Sequence, residues 1–195
     1  MLKYAGLKYN DIVDGEGITV SLWTQGCPHR CPGCHNPETQ SYEKELMVKY
    51  NLCKDCELCR KECNHEECKP FKRCIHICPY NCLSICGKDI SAKDLANKIL
   101  RNRKVLTGVT FSGGEPLMQA DFLLETISYL KDFEINIETC GYCNSETFKK
   151  VIENVNLVYF DIKLIDDGLH KKYTDASNDL ILKNFKILQN SNTRY

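Results

Sequence analysis

The sequence predicts an α/β fold in which parallel strands alternate with helices and a cysteine-rich segment interrupts the alternation. Short β-branched or apolar segments, each typical of a buried strand, lie near residues 17–24, 109–112, 134–138 and 157–163. Amphipathic helical patterns separate the last three of them, as in an incomplete βα barrel. The interruption at residues 48–87 holds nine cysteines. We therefore expect residues 1–47 and 88–195 to form the barrel and residues 48–87 an inserted module.

Length and charge limit the class of protein. A chain of 195 residues can form one main domain with a small module. Its 26 basic and 26 acidic residues give no net charge, which argues against a nucleic-acid partner. The N-terminus has no apolar signal segment, and no stretch reaches about 18 unbroken apolar residues. We expect a cytoplasmic protein with no membrane partner.

Cysteine usage points to metal chemistry. Fourteen cysteines without a signal peptide favour metal clusters over a disulfide scaffold. Thiolates and exposed iron-sulfur clusters are readily oxidised, so the sequence suggests an anaerobic or strongly reducing cell.

Three cysteines follow the first predicted strand at the spacing C-x3-C-x2-C, namely Cys27, Cys31 and Cys34. A 4Fe-4S cluster usually takes four thiolates, so a three-cysteine loop leaves one iron open to an outside molecule. Loops at the carboxyl ends of parallel strands are where α/β folds place their chemistry. The alternative is a zinc ion held by the three thiolates with His29 or His35.

The inserted module contains two runs of cysteines. The first consists of Cys53, Cys56, Cys59 and Cys63, at the spacing of the bacterial ferredoxin run. The second, incomplete run consists of Cys68, Cys74, Cys78 and Cys82, with Cys86 as an alternative to Cys82. In two-cluster ferredoxins the fourth cysteine of the run ligates the other cluster. We expect one or two accessory 4Fe-4S clusters, while paired cysteines also suit a zinc ribbon.

Polar segments follow the other three strands. The turn at residues 112–116 contains two glycines, which allow the backbone to approach a ligand closely. Residues 138–142 follow the third strand, and Asp161 and Lys163 lie two apart on one face of the fourth. Alone, such a turn or ion pair is more often structural. A pair of cysteines such as Cys140 and Cys143 is more often buried or unreactive than redox-active.

Together these motifs resemble the radical S-adenosylmethionine (SAM) superfamily. Gly15-x-Gly17-x5-Trp23-x2-Gly26-Cys27, continued to Asn36, resembles its branch of glycyl-radical-enzyme activating enzymes, which includes the pyruvate formate-lyase activating enzymes. The resemblance implies a partial radical SAM βα barrel with a ferredoxin-like insert. It also implies that SAM binds the open iron and that one electron cleaves it to a 5′-deoxyadenosyl radical, which removes hydrogen from a glycine of a partner enzyme.

The resemblance also implies roles for individual residues. Gly113, Gly114 and Glu115 match the family's GGEP motif, which contacts the amino group of SAM. Glu138 and Thr139 match a segment near the methionine moiety. Asp161 and Lys163 match the Asp-x-Lys motif where SAM meets the glycine loop of the partner, and are the catalytic candidates. A flavodoxin or ferredoxin-type protein is the implied electron donor.

Two other functions fit parts of the sequence. Residues 9–17 resemble the activator of anaerobic ribonucleotide reductase, and the clusters alone would suit an electron-transfer protein. The resemblance further implies six βα units in a complete member, whereas four are found here. We therefore expect a C-terminally truncated chain that forms little or no glycyl radical unless another chain completes the barrel.

Overall fold

The computed structural model describes residues 1–195 and contains eight strands and five α-helices. The strands are β1 (Leu2–Asp11), β2 (Thr19–Thr24), β3 (Glu45–Val48), β4 (Leu83–Cys86), β5 (Lys88–Ile90), β6 (Gly108–Gly113), β7 (Glu134–Thr139) and β8 (Leu157–Phe160). The helices are α1 (Ala92–Leu100), α2 (Ala120–Ser128), α3 (Ser145–Ile152), α4 (Asp167–Thr174) and α5 (Asp179–Gln189). None of the helices has both the length and the apolarity needed to cross a membrane.

Six strands form the main sheet in the order β5-β1-β2-β6-β7-β8. Strands β2, β6, β7 and β8 run parallel to one another, whereas β1 pairs antiparallel with both β2 and β5. The parallel part of the sheet confirms the predicted α/β class. Because the carboxyl ends of these four strands share one edge, the segments that follow them can meet there.

Local sequence explains how the helices begin. The Ser91 hydroxyl accepts a hydrogen bond from the Asp94 amide at 3.0 Å and so caps the first turn of α1. The Asn144 side chain caps α3 in the same way through the Thr147 amide at 2.8 Å. Each cap satisfies an amide that the first turn of a helix leaves without a partner.

One core holds the barrel portion together. It contains 25 buried residues from the sheet and from the helices packed on it. Phe111 of β6 and Phe148 of α3 are among its largest fully buried side chains. Burying aromatic rings of this size contributes several kcal/mol in total, so the barrel portion has a hydrophobic core that needs no metal.

Two parts of the sheet differ from the sequence-based expectation. Strand β1 was not predicted; it forms a long hairpin with β2, joined through a bend with glycines at positive φ. The fourth predicted strand, 157–163, ends at Phe160. The Asp161 amide still donates to the Thr139 carbonyl at 2.9 Å, but β7 ends at Thr139 and offers no further partner. Asp161 and Lys163 therefore lie in the loop after β8.

The cysteine-rich segment has little regular structure. Strands β3 and β4 pair as an antiparallel stem at its two ends. Between them lie two short 3-10 turns, at Leu58–Arg60 and Glu66–Phe71. Its own cluster of buried apolar residues consists of Cys78, Cys82 and Leu83. Such a small core cannot offset the entropy of ordering about 35 residues, so this segment needs cross-links or metal.

Candidate active site

A large open cavity, about 1210 Å³, lies at the carboxyl ends of β2, β6, β7 and β8. The predicted site residues on its wall are Cys27, Cys31, Cys34, Gly113, Glu138, Thr139, Asp161 and Lys163. These eight residues come from four segments that are far apart in the sequence. The sheet brings them together because each segment follows or ends one of the four parallel strands.

The cysteine loop is fixed by backbone hydrogen bonds to other parts of the chain. The Gly26 and Cys27 amides donate to the Thr39 and Gln40 carbonyls at 2.8 and 3.1 Å. The Arg30 amide donates to a carbonyl of α4 at 2.9 Å. These bonds use no cysteine side chain, so they hold the loop in place and leave the thiols available for ligation.

The three loop thiols are suited to a positively charged centre. Burial raises the pKa of the Cys27 thiol to about 11, and the Glu115 carboxylate and the two other thiols add to this effect. Burial also raises the pKa of Cys31. A thiol must lose its proton to ligate a metal, and three thiolates at one site repel one another. A metal centre that compensates this charge therefore fits this donor set.

The two histidines considered for a zinc site, His29 and His35, do not complete a compact donor set with these thiols. The three thiols and a histidine do not gather within 4.8 Å of one another, as the ligands of one ion would. His29 is buried, and its Nε2 lies 3.3 Å from the Cys140 sulfur. Burial lowers the pKa of His29 to about 4, which keeps its imidazole neutral at pH 7. The spacing fits a polynuclear cluster better than one zinc ion.

Gly113 and Gly114 allow the end of β6 to touch the base of the cysteine loop. Gly113 has φ +110°, and a Cβ there would lie 2.4 Å from the Thr24 amide nitrogen. A Cβ on Gly114 would lie 2.4 Å from the Gly26 carbonyl oxygen. The Gly114 amide donates to the Thr24 carbonyl at 2.9 Å. The turn thus couples the cysteine loop to β6 through backbone contacts that a side chain would block.

Glu115 points away from the cavity. Its carboxylate accepts hydrogen bonds from the Leu117 amide at 3.1 Å, the Cys140 amide at 2.9 Å and the Thr139 hydroxyl. Cys140 also donates its thiol to the same carboxylate at 2.9 Å. The residue is 2% exposed, and burial raises its pKa. Glu115 therefore joins the Gly-Gly turn to the end of β7 and does not line the cavity.

Cys140 contacts both Glu115 and His29, which the sequence did not predict. It is buried between the Glu115 carboxylate and the His29 ring, with its sulfur within 3.3 Å of both. These hydrogen bonds form because β2, β6 and β7 end at the same edge of the sheet. No local spacing in the sequence could therefore predict them. Cys143 does not line the cavity, and it packs against the core.

Charged and aromatic groups share the remaining wall. Glu138 accepts a hydrogen bond from the Ser112 hydroxyl, and burial raises its pKa. Burial disfavours the ammonium of Lys163, but its ion pair with Asp161 outweighs burial and raises its pKa. The aromatic side chains on the wall are Tyr159, Phe160, Tyr173, Phe185 and Tyr195. The cavity thus combines thiols, one fixed ion pair and an apolar surface.

The cysteines of the insert fall into two groups. Cys53, Cys56, Cys59, Cys78 and Cys82 line one small pocket. In it the sulfurs of Cys78 and Cys82 lie 3.3 Å apart, and the Arg73 Nε donates to the Cys59 sulfur at 3.3 Å. A guanidinium beside a thiol favours the thiolate that a metal requires.

The second group consists of Cys63, His65, Cys68 and Cys74, whose donor atoms all lie within 4.8 Å of one another. Cys86 belongs to neither group, because its sulfur lies on the stem, 3.8 Å from the Glu38 carbonyl oxygen. Cys82 and Cys86 were the two candidates for the last position of the second run. The structure places Cys82 beside the thiols of the first group and leaves Cys86 apart from both groups. His65 was not predicted as a donor.

Comparison with known proteins identifies relatives of most of the chain. The Radical SAM superfamily model matches residues 21–194. The trans-4-hydroxy-L-proline dehydratase activating enzyme of Clostridioides difficile is 38% identical over 91% of this chain and 66% of its own length. The 4-hydroxyphenylacetate decarboxylase activating enzyme of Clostridium scatologenes is 35% identical over 92% of this chain and 65% of its own length.

A solved domain of a pyruvate-formate lyase-activating enzyme from Bacteroides vulgatus is also similar. It has 33% identity and a TM-score of 0.40, and the match covers 43% of this chain and 53% of that chain. The chain spans slightly less than two thirds of the length of the two curated relatives above.

Proposed function

The chain belongs to the radical SAM superfamily, whose members use a 4Fe-4S cluster and SAM, and on that premise we propose that it is the activating enzyme of a glycyl radical enzyme. The observation that carries the proposal is the convergence of eight predicted site residues from four strand ends on one cavity. The names of the two activating enzymes reported above support the same class of partner.

Cys27, Cys31 and Cys34 would bind the cluster through three thiolates and leave one iron for SAM. When bound, the reduced cluster and SAM supply an oxidising carbon radical that removes hydrogen from a glycine of the partner. The protein's own task is to bind, orient and enclose these groups. The backbone hydrogen bonds that fix the cysteine loop without using its thiols support this division.

The proposed SAM site has two layers. Gly113, Glu138 and Thr139 line the cavity and are candidates for direct contact with SAM. Gly114 and Glu115 lie behind them and act through position, because they join the cysteine loop to β6 and β7. We propose this indirect role for Glu115 because its carboxylate oxygens already accept hydrogen bonds from Leu117, Thr139 and Cys140.

Asp161 and Lys163 are proposed to orient SAM and the glycine loop of the partner. Their side chains are 55% and 37% exposed, so an entering peptide can reach them. The aromatic wall nearby can exclude water once a peptide fills the opening. Exclusion matters because a carbon radical attacks any C–H bond within reach, so the wall must leave the glycine Cα as the nearest one.

Residues 48–87 are proposed to form a ferredoxin-like module with an accessory 4Fe-4S cluster. The candidate ligands are Cys53, Cys56 and Cys59, with Cys82 or Cys78 as the fourth. Arg73 supports the assignment because it would offset part of the negative charge of such a cluster. The module would accept electrons from a flavodoxin or ferredoxin-type donor, in a reducing cytoplasm that keeps all fourteen cysteines free of disulfides.

The test uses the full chain reconstituted anaerobically with iron and sulfide. We expect reductant-dependent conversion of SAM to 5′-deoxyadenosine, and loss of at least about 100-fold of this rate in Cys31→Ala. Cys143→Ala, which alters a thiol outside the cavity, is the matched control and should keep the rate.

The partner is tested separately with trans-4-hydroxyproline dehydratase and 4-hydroxyphenylacetate decarboxylase, by electron paramagnetic resonance (EPR). Any glycyl radical, however weak, that forms with the unaltered chain and is absent with Cys31→Ala supports the activating role. A chain with a full catalytic cluster that neither binds nor cleaves SAM would refute the proposal.

A further inference from the structure

The second donor group of the insert is compact enough for a single metal ion. Its four donors, the sulfurs of Cys63, Cys68 and Cys74 and one ring nitrogen of His65, all lie within 4.8 Å of one another. In a tetrahedral zinc site with Zn–S bonds of about 2.3 Å, neighbouring sulfurs are about 3.8 Å apart. The four donors therefore need only small shifts to surround one ion.

A 4Fe-4S cluster would require a different arrangement of these residues. Each of its thiolates binds a separate iron, so the four sulfurs surround a body of eight atoms and stand farther apart than ligands of one ion. Such a cluster also usually takes a fourth thiolate when it has no open iron. Cys78 is the nearest in sequence, but its sulfur lies 3.3 Å from Cys82 in the other group. His65 is the fourth donor instead, with Nδ1 3.7 Å from the Cys74 sulfur.

The surroundings of His65 hold its ring in this place. The ring of His76 stacks on it with a centroid distance of 4.1 Å. His76 is itself held by a hydrogen bond between its Nε2 and the Glu67 carboxylate at 2.8 Å. This ring contact limits the orientations that the His65 ring can take. Cys68 and Cys74 are buried, so two sides of the site are protected from solvent.

We propose that Cys63, His65, Cys68 and Cys74 form a closed site for one tetrahedral metal ion, with zinc as the preferred ion. Three cysteine donors with one histidine are typical of structural zinc, and a closed set leaves no position for a substrate. Metal binding at this site stabilises the segment around the 3-10 turn Glu66–Phe71, which has no apolar core of its own. It stands beside the accessory cluster and does not depend on the reaction at the barrel cavity.

The test measures metal content and cobalt spectra of the full chain purified anaerobically. We expect about one zinc per chain in addition to iron, and cobalt(II) in its place should give the d–d bands of a tetrahedral ion with three sulfur ligands and one nitrogen ligand. His65→Cys should keep the ion and shift these bands towards the spectrum of four sulfur ligands. His65→Ala should weaken zinc binding at least about 10-fold, a loss of the size seen when metal-site residues are removed.

Cys86→Ser is the matched control, because it removes a thiol of the insert that belongs to neither donor group; it should keep the ion and leave the cobalt bands unshifted. The proposal is overturned if cobalt spectra do not respond to His65→Cys. It is also overturned if the chain contains no zinc and Cys68→Ser removes about four iron and four sulfide per chain, since that result would assign these cysteines to a second 4Fe-4S cluster.

Discussion

The barrel cavity and the insert both carry clusters of cysteines, but the chain holds them in different ways. The barrel loop is fixed by backbone hydrogen bonds to distant segments and rests on a core of 25 buried residues. The insert has a two-stranded stem, and three residues, two of them cysteines, form its buried apolar cluster. A reactive centre must stay in place while its ligands change, and the barrel provides that rigidity. In the insert, the cysteines that we propose as metal ligands take the place of a larger apolar core.

The largest effect predicted by this difference follows removal of all metal with a chelator and reductant. Structural metal sites supply free energies of about 10 kcal/mol or more to small folds, so residues 49–82 should lose their structure. Hydrogen exchange monitored by mass spectrometry should show protection lost there and retained in β6, β7 and α3. Equal loss of protection in both regions would contradict the comparison.

A substitution at Gly114 tests the rigidity of the barrel loop. In Gly114→Ala the new methyl group meets the Gly26 carbonyl at 2.4 Å, so backbone must move. We expect about 1–3 kcal/mol of destabilisation and loss of the loop cluster, while the metal of the insert is retained. Gly33→Ala is the control in the same loop, since nothing lies within 4 Å of its added Cβ. Iron analysis and urea unfolding measure both effects.

A smaller effect concerns how the stability of the β1–β2 hairpin depends on pH. Burial alone would raise the pKa of Asp11, but Lys8 at 3.0 Å and hydrogen bonds from Val13 and Ser21 lower it to about 2. A lowered pKa contributes stability above the unfolded value, near 3.8, and this contribution is lost as the pH falls towards 2.

Asp11→Asn should therefore cost about 1–2 kcal/mol at pH 7 and much less at about pH 2, in urea unfolding of the barrel. The exposed ion pair of Asp132 with Arg103 provides the control, because Asp132→Asn should change stability by less than about 0.5 kcal/mol at either pH. A cost for Asp11→Asn that does not vary with pH would show that its ionisation does not stabilise the hairpin.

The sequence predicted the parallel part of the sheet well because its strands coincide with short runs of β-branched and apolar residues. Strands β6 and β7 follow from their β-branched and apolar runs. Strand β1 escaped prediction because its mixed polar sequence becomes a strand only by pairing with β2 and β5. The end of β8 was misjudged for a similar reason, since the length of β7 decides it.

The candidate site shows the same limit. Motif spacing located the residues after each strand, and eight of them line one cavity. Spacing could not show that Glu115 turns inward to Cys140, because that contact joins residues 25 apart in the segments that follow two different strands. The spacing also could not identify His65 as a metal donor. A single histidine in a cysteine-rich segment does not indicate a ligand, and only the fold places it beside Cys74.

The most direct test of the account is an EPR titration of the reduced, fully loaded chain with SAM. We predict two sets of cluster signals, of which one changes shape when SAM is added. That set should be absent in Cys31→Ala and present in Cys59→Ser, because the barrel alone forms the SAM site. A SAM-sensitive signal that survives Cys31→Ala, or disappears in Cys59→Ser while the loop cluster remains, would contradict the assignment of the cavity.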